Sequence, residues 1–329
     1  MRVNLSIFNH GMARAGDGEE EDWRFHPYNR RNGGWLDSPA QLFTDPRAFA
    51  YQQRLFRYLG ARYGDSPALL GWKLWAEVNL THAPTNEVSA WHARASAALR
   101  ARDPYHHPIT THWCGDWTVP DKSITTQPGI GYVTIDAYHG DDTAIAELLN
   151  QSTRDPRQPT RGLAGLGKPI LVTEFGGNAG GTSIERMRAE FAVGPWAGLV
   201  SGHGGSPMLW WFEWIDQGER FGPYDAISRF IAGEDLRAEA KQPPGQSLAL
   251  DASDQAAGDA VLWCNAWSRT GRLLGYLMNE RWQQDGRQVP QLSHTSIQIG
   301  DQINPGMMTV SWWDADTGRE ISHLDFAHP

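Results

Sequence analysis

The sequence predicts an α/β fold of about six consecutive β/α units followed by a small antiparallel β domain, on three observations. Most of the chain repeats a short β-rich run, a loop and an amphipathic helix. Polar or aromatic residues gather just after the C-terminal end of nearly every β-rich run, and none is followed by a Gly-rich phosphate loop. Beyond about residue 242 the helical spacing disappears and only strand-like runs remain.

The β runs are Val3–Asn9, 70–75, 109–113, 132–137, 169–173 and 208–211. Each is rich in β-branched or aromatic residues and bounded by Gly, Pro or Asp. After the first run, Asp45 suits an N-cap and Pro46 the first helical position. Phe49, Leu55, Phe56, Leu59 and Tyr63 then give that helix an apolar stripe. Val88, Trp91, Ala95 and Leu99 mark a second helix, with Arg94 and Arg100 able to reach water. Ile145, Leu148 and Leu149 mark a third, and Ile184, Met187 and Phe191 a fourth. Tyr224, Ile227, Phe230 and Ile231 mark a fifth.

This alternation predicts a parallel sheet with right-handed crossovers, which an open doubly wound sheet and a closed barrel both satisfy. The residues at the strand ends favour a (β/α)8-type TIM barrel, whose active site is built on that rim. Residues 1–241 are therefore read as the barrel, and 242–245, with Pro243 and Pro244, as a linker. Residues 248–329 are read as a small β-sandwich-like domain, with strands at 261–267, 273–278 and 308–313 and a turn at 314–318.

A formal net charge of −9 argues against nucleic acid, which calls for clustered Lys and Arg. No apolar run approaches the roughly 20 residues that span a bilayer, and residues 2–10 alternate like a strand rather than a signal peptide. Two cysteines, Cys114 and Cys264, cannot form a disulfide framework; both suit small buried positions, and one bridge is left open. The 16 Trp stand out, since an indole fills cores and also stacks on sugar rings. Trp210, Trp211 and Trp214 cluster, as do Trp113 and Trp117. Oligomeric state is not legible.

Two strand ends present a glutamate: Trp72-Lys73-Leu74-Trp75-Ala76-Glu77 and Ile170-Leu171-Val172-Thr173-Glu174-Phe175-Gly176. A retaining glycosidase needs two carboxyl groups about 5–5.5 Å apart, a nucleophile and an acid/base, and two strand ends on one barrel rim suit that need. His106, His107, His112 and Asp116 lack a helical His-x3-His pair or a Cys-based set, so neither metal nor cofactor is expected.

With these motifs the sequence resembles clan A glycoside hydrolases, nearest the family 5 cellulases and mannanases. The likeness runs from about residue 3 to 237, and the trailing β domain is similar to the small C-terminal module of some such enzymes. It implies Glu77 as acid/base at barrel strand four and Glu174 as nucleophile at strand seven. His10 and His139 are expected to bond sugar hydroxyls, and Tyr138 to hold the nucleophile. Trp211 and Trp214 are expected to stack on pyranose faces, and Trp75 and Trp113 complete the expected substrate-binding set. The long insert 11–37, with Trp23, Phe25, Tyr28 and Trp35, is expected to shape the mouth.

The family places Asn directly before the acid/base, where it bonds the sugar 2-hydroxyl; here Ala76 stands, with Asn79 and His112 as nearby substitutes. That departure opens a second expectation, a carbohydrate-binding barrel with impaired catalysis. If 3–9 is barrel strand three, strands one and two are absent, which predicts an N-terminally truncated barrel. The resemblance also implies a secreted or periplasmic full-length form acting on a carbohydrate substrate.

Overall fold

The computed structural model describes residues 2–115, 118–139, 144–153, 162–178, 180–236, 245–255, 262–269, 271–282, 289, 292–300, 303 and 305–328. The chain is a mixed α/β structure with parallel strands first and antiparallel strands from Gln246 onward. Its contacts divide it into two compact units, Met1–Ile135 with Leu166–Pro169, and Asp136–Gly165 with Ile170–Pro329.

In the first unit β1 (Val3–Asn9), β2 (Leu69–Ala76) and β3 (Ile109–Thr110) pair in parallel in that order. The expected run 109–113 is interrupted at Thr111, whose hydroxyl donates to Trp75 O at 3.3 Å. The strand resumes as β4 (His112–Trp113) and pairs in parallel with β5 (Val133–Ala137) through His112↔Thr134 and Trp113↔Ile135.

Helix Pro46–Tyr63 starts where the sequence places it, with the Asp45 carboxylate accepting from Ala48 N at 2.7 Å. Its fully buried face is Ala48, Gln52, Phe56 and Gly60. Leu55 and Leu59 are only half-buried and Tyr63 is 41% exposed. Those three, with Val3, Leu5 and Ile7, line an open apolar groove of about 500 Å³ beside β1. Helix Thr85–Arg100 buries Val88, Trp91, Ala95 and Leu99, the expected set. Trp91 meets Phe8, Phe43 and Trp75 at ring distances of 5.6–6.0 Å, and each such buried aromatic side chain contributes about 1.5–3 kcal/mol.

The chain passes into the second unit within β5, between Ile135 and Asp136. Here β6 (Ile170–Phe175) extends two residues past the expected end, so Glu174 lies inside the strand. The expected strand 208–211 is corrected to a single parallel bridge, Phe175↔Leu209. Phe175 N donates to Met208 O and Trp210 N to Phe175 O, after which Trp211 already begins helix Phe212–Gln217.

Helix Ile184–Val200 is buried on nearly every side, although its first residue, Ile184, is 49% exposed. Helices Ile145–Thr153 and Gly222–Phe230 bury Leu148, Leu149 and Ile227 as expected.

From Gln246 the strands are antiparallel. β7 (Gln246–Ala249), β9 (Leu262–Arg269) and β10 (Arg272–Asn279) form a sheet in the order β10-β9-β7. β8 (Asp251–Asp254) pairs with β11 (Thr295–Gln298), and β12 (Gly306–Asp314) with β13 (Arg319–His328). The last two join at the expected turn, where Asp314 Oδ1 accepts from Thr317 N and Gly318 takes a left-handed φ of 62°. These strands group with the preceding helices because the two pack directly. Trp196 stacks on Tyr276 at 5.8 Å and donates Nε1–H to Ala315 O, and Trp313 meets Phe230 at 5.4 Å. Linker residues 242–244 lie outside the described residues, as do Asp116 and Trp117. Among the described residues no helix is long and apolar enough to cross a membrane. Neither Cys114 nor Cys264 is in a disulfide.

Candidate active site

Glu77 follows directly on β2. Its backbone takes a left-handed conformation, φ 50° and ψ 51°, before a short 3-10 turn at Val78–Leu80. An L-residue pays for this geometry by about 1–2 kcal/mol, and such strain concentrates at functional sites. The Glu77 N–H donates to His112 Nδ1 at 3.2 Å, so that nitrogen is an acceptor and the ring carries its proton on Nε2 when neutral.

His10, in the turn after β1, brings Nδ1 to 2.6 Å from Glu77 Oε2, although its N–H is not aimed squarely at that oxygen. On its other side His10 Nε2 lies 3.2 Å from Glu20 Oε2, delivered by the insert 11–37. Burial alone would push the Glu77 carboxyl up. The contact and positive charge of His10, helped by Cys114 and His112, outweigh burial and hold it below the ordinary carboxylate range. His10 is correspondingly raised above its ordinary value, chiefly by Glu77.

The other expected binding residues of this unit are engaged elsewhere. Asn79 pairs reciprocally with Cys114, its Nδ2 donating to Cys114 O at 2.9 Å and its Oδ1 accepting from Cys114 N at 2.8 Å. His112 is fully buried beneath Glu77. Trp75 and Trp113 are each 1% exposed, and Trp75 lies among Phe8, Phe43 and Trp91, so neither indole offers a face to a sugar ring. In the insert, Trp23 is buried on His26, while Tyr28 and Trp35 pair at 4.4 Å against Tyr51.

In the second unit Glu174 is half-buried near the end of β6, and Tyr138, just past β5, donates its hydroxyl to Glu174 Oε2 at 3.1 Å. The chain then turns through Gly176 and Gly177, with φ of 134° and 64°. Trp211 closes over this turn, donating Nε1–H to Gly176 O at 3.1 Å. A Cβ at Gly176 would come within 3.0 Å of the Trp211 ring, so this position has room only for glycine. Trp214 has the Arg220 guanidinium 4.5 Å over its ring and Phe191 at its edge. Trp210 and Phe212, at 41% and 54% exposure, are open to solvent, whereas Trp211 and Trp214 are half-buried.

The His139 side chain is only 3% exposed. Its Nδ1 lies 3.0 Å from an Arg186 terminal nitrogen and its Nε2 3.2 Å from Glu190 Oε1. Sequence reasoning overlooked Glu20, Arg186 and Glu190. The last two are spaced i,i+4 on a helix, the pattern of an ordinary solvated ion pair, and only the apolar residues crowding around them signal burial.

The two glutamates, one per unit, are each set at a strand end with a hydroxyl, imidazole or backbone partner, an equipment suited to acid/base or nucleophilic chemistry. A scan against known protein families gives no match. Over 82 residues, a quarter of this chain, the sequence is 28% identical to a probable mannan endo-1,4-β-mannosidase F of Aspergillus flavus. Over 74 residues it is 30% identical to mannan endo-1,4-β-mannosidase F of Aspergillus clavatus. The chain spans 17% of the length of these relatives. Among solved structures, an exo-β-1,4-mannosidase from Opitutaceae bacterium strain TAV5 is similar with a TM-score of 0.40 at 18% identity, covering 54% of this chain and 35% of its own. The β-mannanase of the blue mussel Mytilus edulis has a TM-score of 0.41 at 13% identity, covering 64% and 62%.

Proposed function

We propose that the chain belongs to a retaining glycoside hydrolase acting on β-mannosidic bonds, with Glu174 as nucleophile and Glu77 as acid/base. The observation that carries the reading is the Tyr138 hydroxyl held on Glu174 at a parallel strand end. Likeness to two mannanases supports the substrate class. Glu174 attacks the anomeric carbon as its bond to the leaving oxygen breaks, and the proton of Glu77 passes to that oxygen. Water then adds to the anomeric carbon, its proton goes to Glu77, and Glu174 leaves.

The contact with His10 holds the Glu77 carboxyl low, so His10 sets how readily Glu77 holds the proton that it gives to the leaving oxygen. The basic limb of kcat/KM follows the ionisation of the acid/base. In His10→Asn the largest opposition to burial is gone, the Glu77 carboxyl rises, and the basic limb is expected to move to higher pH. An unmoved limb in the pH–rate profile would separate His10 from Glu77.

Residues 248–329 are read as the small β domain, and the protein as secreted or periplasmic.

A second reading, a carbohydrate-binding barrel with impaired catalysis, is favoured by Ala76 together with the engagement of Asn79 by Cys114. The experiment is hydrolysis of soluble β-1,4-mannan, followed by reducing ends and by the anomeric configuration of the first product. Release of β product supports the enzyme; binding without release supports the alternative. Ala76→Asn is expected to raise kcat by about 10-fold or more, because a 2-hydroxyl bond that tightens in the transition state is worth a few kcal/mol. Unchanged turnover would mean the site already has another 2-hydroxyl partner.

A further inference from the structure

Glu190 is a carboxylate with no solvent exposure, and the reaction above gives it no part. It sits in helix Ile184–Val200 among Met187, Phe191, Val193 and Gly194, where an apolar residue would pack without cost. Instead it accepts from Arg186 Nε at 2.7 Å and from Gly177 N at 2.6 Å, with His139 Nε2 3.2 Å away. Charge-assisted bonds of this length are strong, and together they offset the desolvation of a buried carboxylate.

The partners of Glu190 give it a direction. Gly177 lies three residues beyond Glu174, and His139 directly follows Tyr138, whose hydroxyl holds Glu174 Oε2. The two turns are also tied to each other, since His139 N donates to Gly177 O at 3.0 Å. Gly177 adopts φ 64°, and a Cβ there would meet Thr182 at 2.7 Å, so the turn that aims its N–H at Glu190 is specified by glycine. One buried carboxylate thus holds both the turn after Glu174 and the turn after Tyr138.

We propose that Glu190 is a positioning residue for Glu174, an internal anchor that fixes the nucleophile and the tyrosine that orients it. The proposal rests on the reading of Glu174 as nucleophile. Small displacements of a reacting group slow the bond-forming step far more than they weaken binding, so the effect falls on kcat rather than KM.

The test uses the full chain and 2-deoxy-2-fluoro-β-D-mannosyl fluoride, which traps the covalent sugar–enzyme ester; labelling is located by peptide mass spectrometry. Wild type is expected to be labelled on Glu174. Glu190→Gln, which keeps the shape and removes the charge, is expected to slow inactivation by about 10-fold or more, with the apparent binding constant within about twofold. Glu190→Asp keeps the charge and draws it back by one methylene; it is expected to fall between the two, and it decides the matter if Glu190→Gln does not fold. Inactivation at the wild-type rate in the folded variants, or loss of rate and binding in parallel, overturns the proposal. A wild type that is not labelled on Glu174 instead overturns the nucleophile reading, a result distinguishable from the first.

Discussion

Glu174→Gln is expected to lower turnover of mannooligosaccharides by at least about 10³-fold, roughly 4 kcal/mol of transition-state stabilisation, while the fold persists. The amide matches the carboxylate in shape, and its oxygen can still accept from the Tyr138 hydroxyl now 3.1 Å from Oε2. What it cannot do is form an ester with the anomeric carbon. Turnover is measured by reducing-end release, and the fold by thermal unfolding. Wild-type turnover in this variant would remove Glu174 from the reaction and with it the proposed mechanism.

How far the sequence could be read depends on which links of the structure are local. β1 and the face Val88, Trp91, Ala95 and Leu99 are local patterns, since periodicity of two or 3.6 residues decides them, and the chain forms them as expected. The run 208–211 carries the same β-rich signal but becomes one bridge, because a strand also needs several residues of partner, and Trp211 turns into a helix. Helix Pro46–Tyr63 shows the same limit. Its stripe is apolar as expected, yet Leu55, Leu59 and Tyr63 remain open, because what covers a face is not written in that face. β13 gives no such signal: its apolar residues Ile321, Leu324, Phe326 and Ala327 do not follow a period of two, and the strand buries hardly any of its side chains.

Trp residues expose a further ambiguity. Trp75, Trp91 and Trp113 are fully buried whereas Trp210 is 41% exposed, and no spacing distinguishes the two uses of an indole. Polar site residues are harder still. Asn79, His112 and His139 are legible only by type and by position at or near a strand end, which says nothing of where their hydrogen bonds go. Their partners come from distant segments, Cys114 for Asn79 and Arg186 with Glu190 for His139. Glu20 likewise reaches His10 from an insert with no regular pattern.

Glu77 should separate chemistry from strain. Glu77→Ala is expected to lower kcat/KM on mannooligosaccharides by about 10²–10⁴-fold, the usual contribution of a positioned acid/base. On 2,4-dinitrophenyl β-mannoside the loss should be much smaller, because that leaving group departs without a proton. Added azide should then accelerate the second step and give β-mannosyl azide. Equal losses on both substrates, without azide rescue, would exclude Glu77 as the acid. Glu77→Gly removes the same carboxylate and so should match Glu77→Ala in every kinetic measure. It should nevertheless be the more stable variant by about 1 kcal/mol, since φ 50° is strained for alanine and free for glycine. Both variants also lose the contact with His10, so that contribution cancels between them and the difference in denaturant unfolding isolates the backbone. Equal stabilities would show that the left-handed turn relaxes once the carboxylate is gone. A gap of the expected size would show that the chain holds this strained turn whether or not the acid is present.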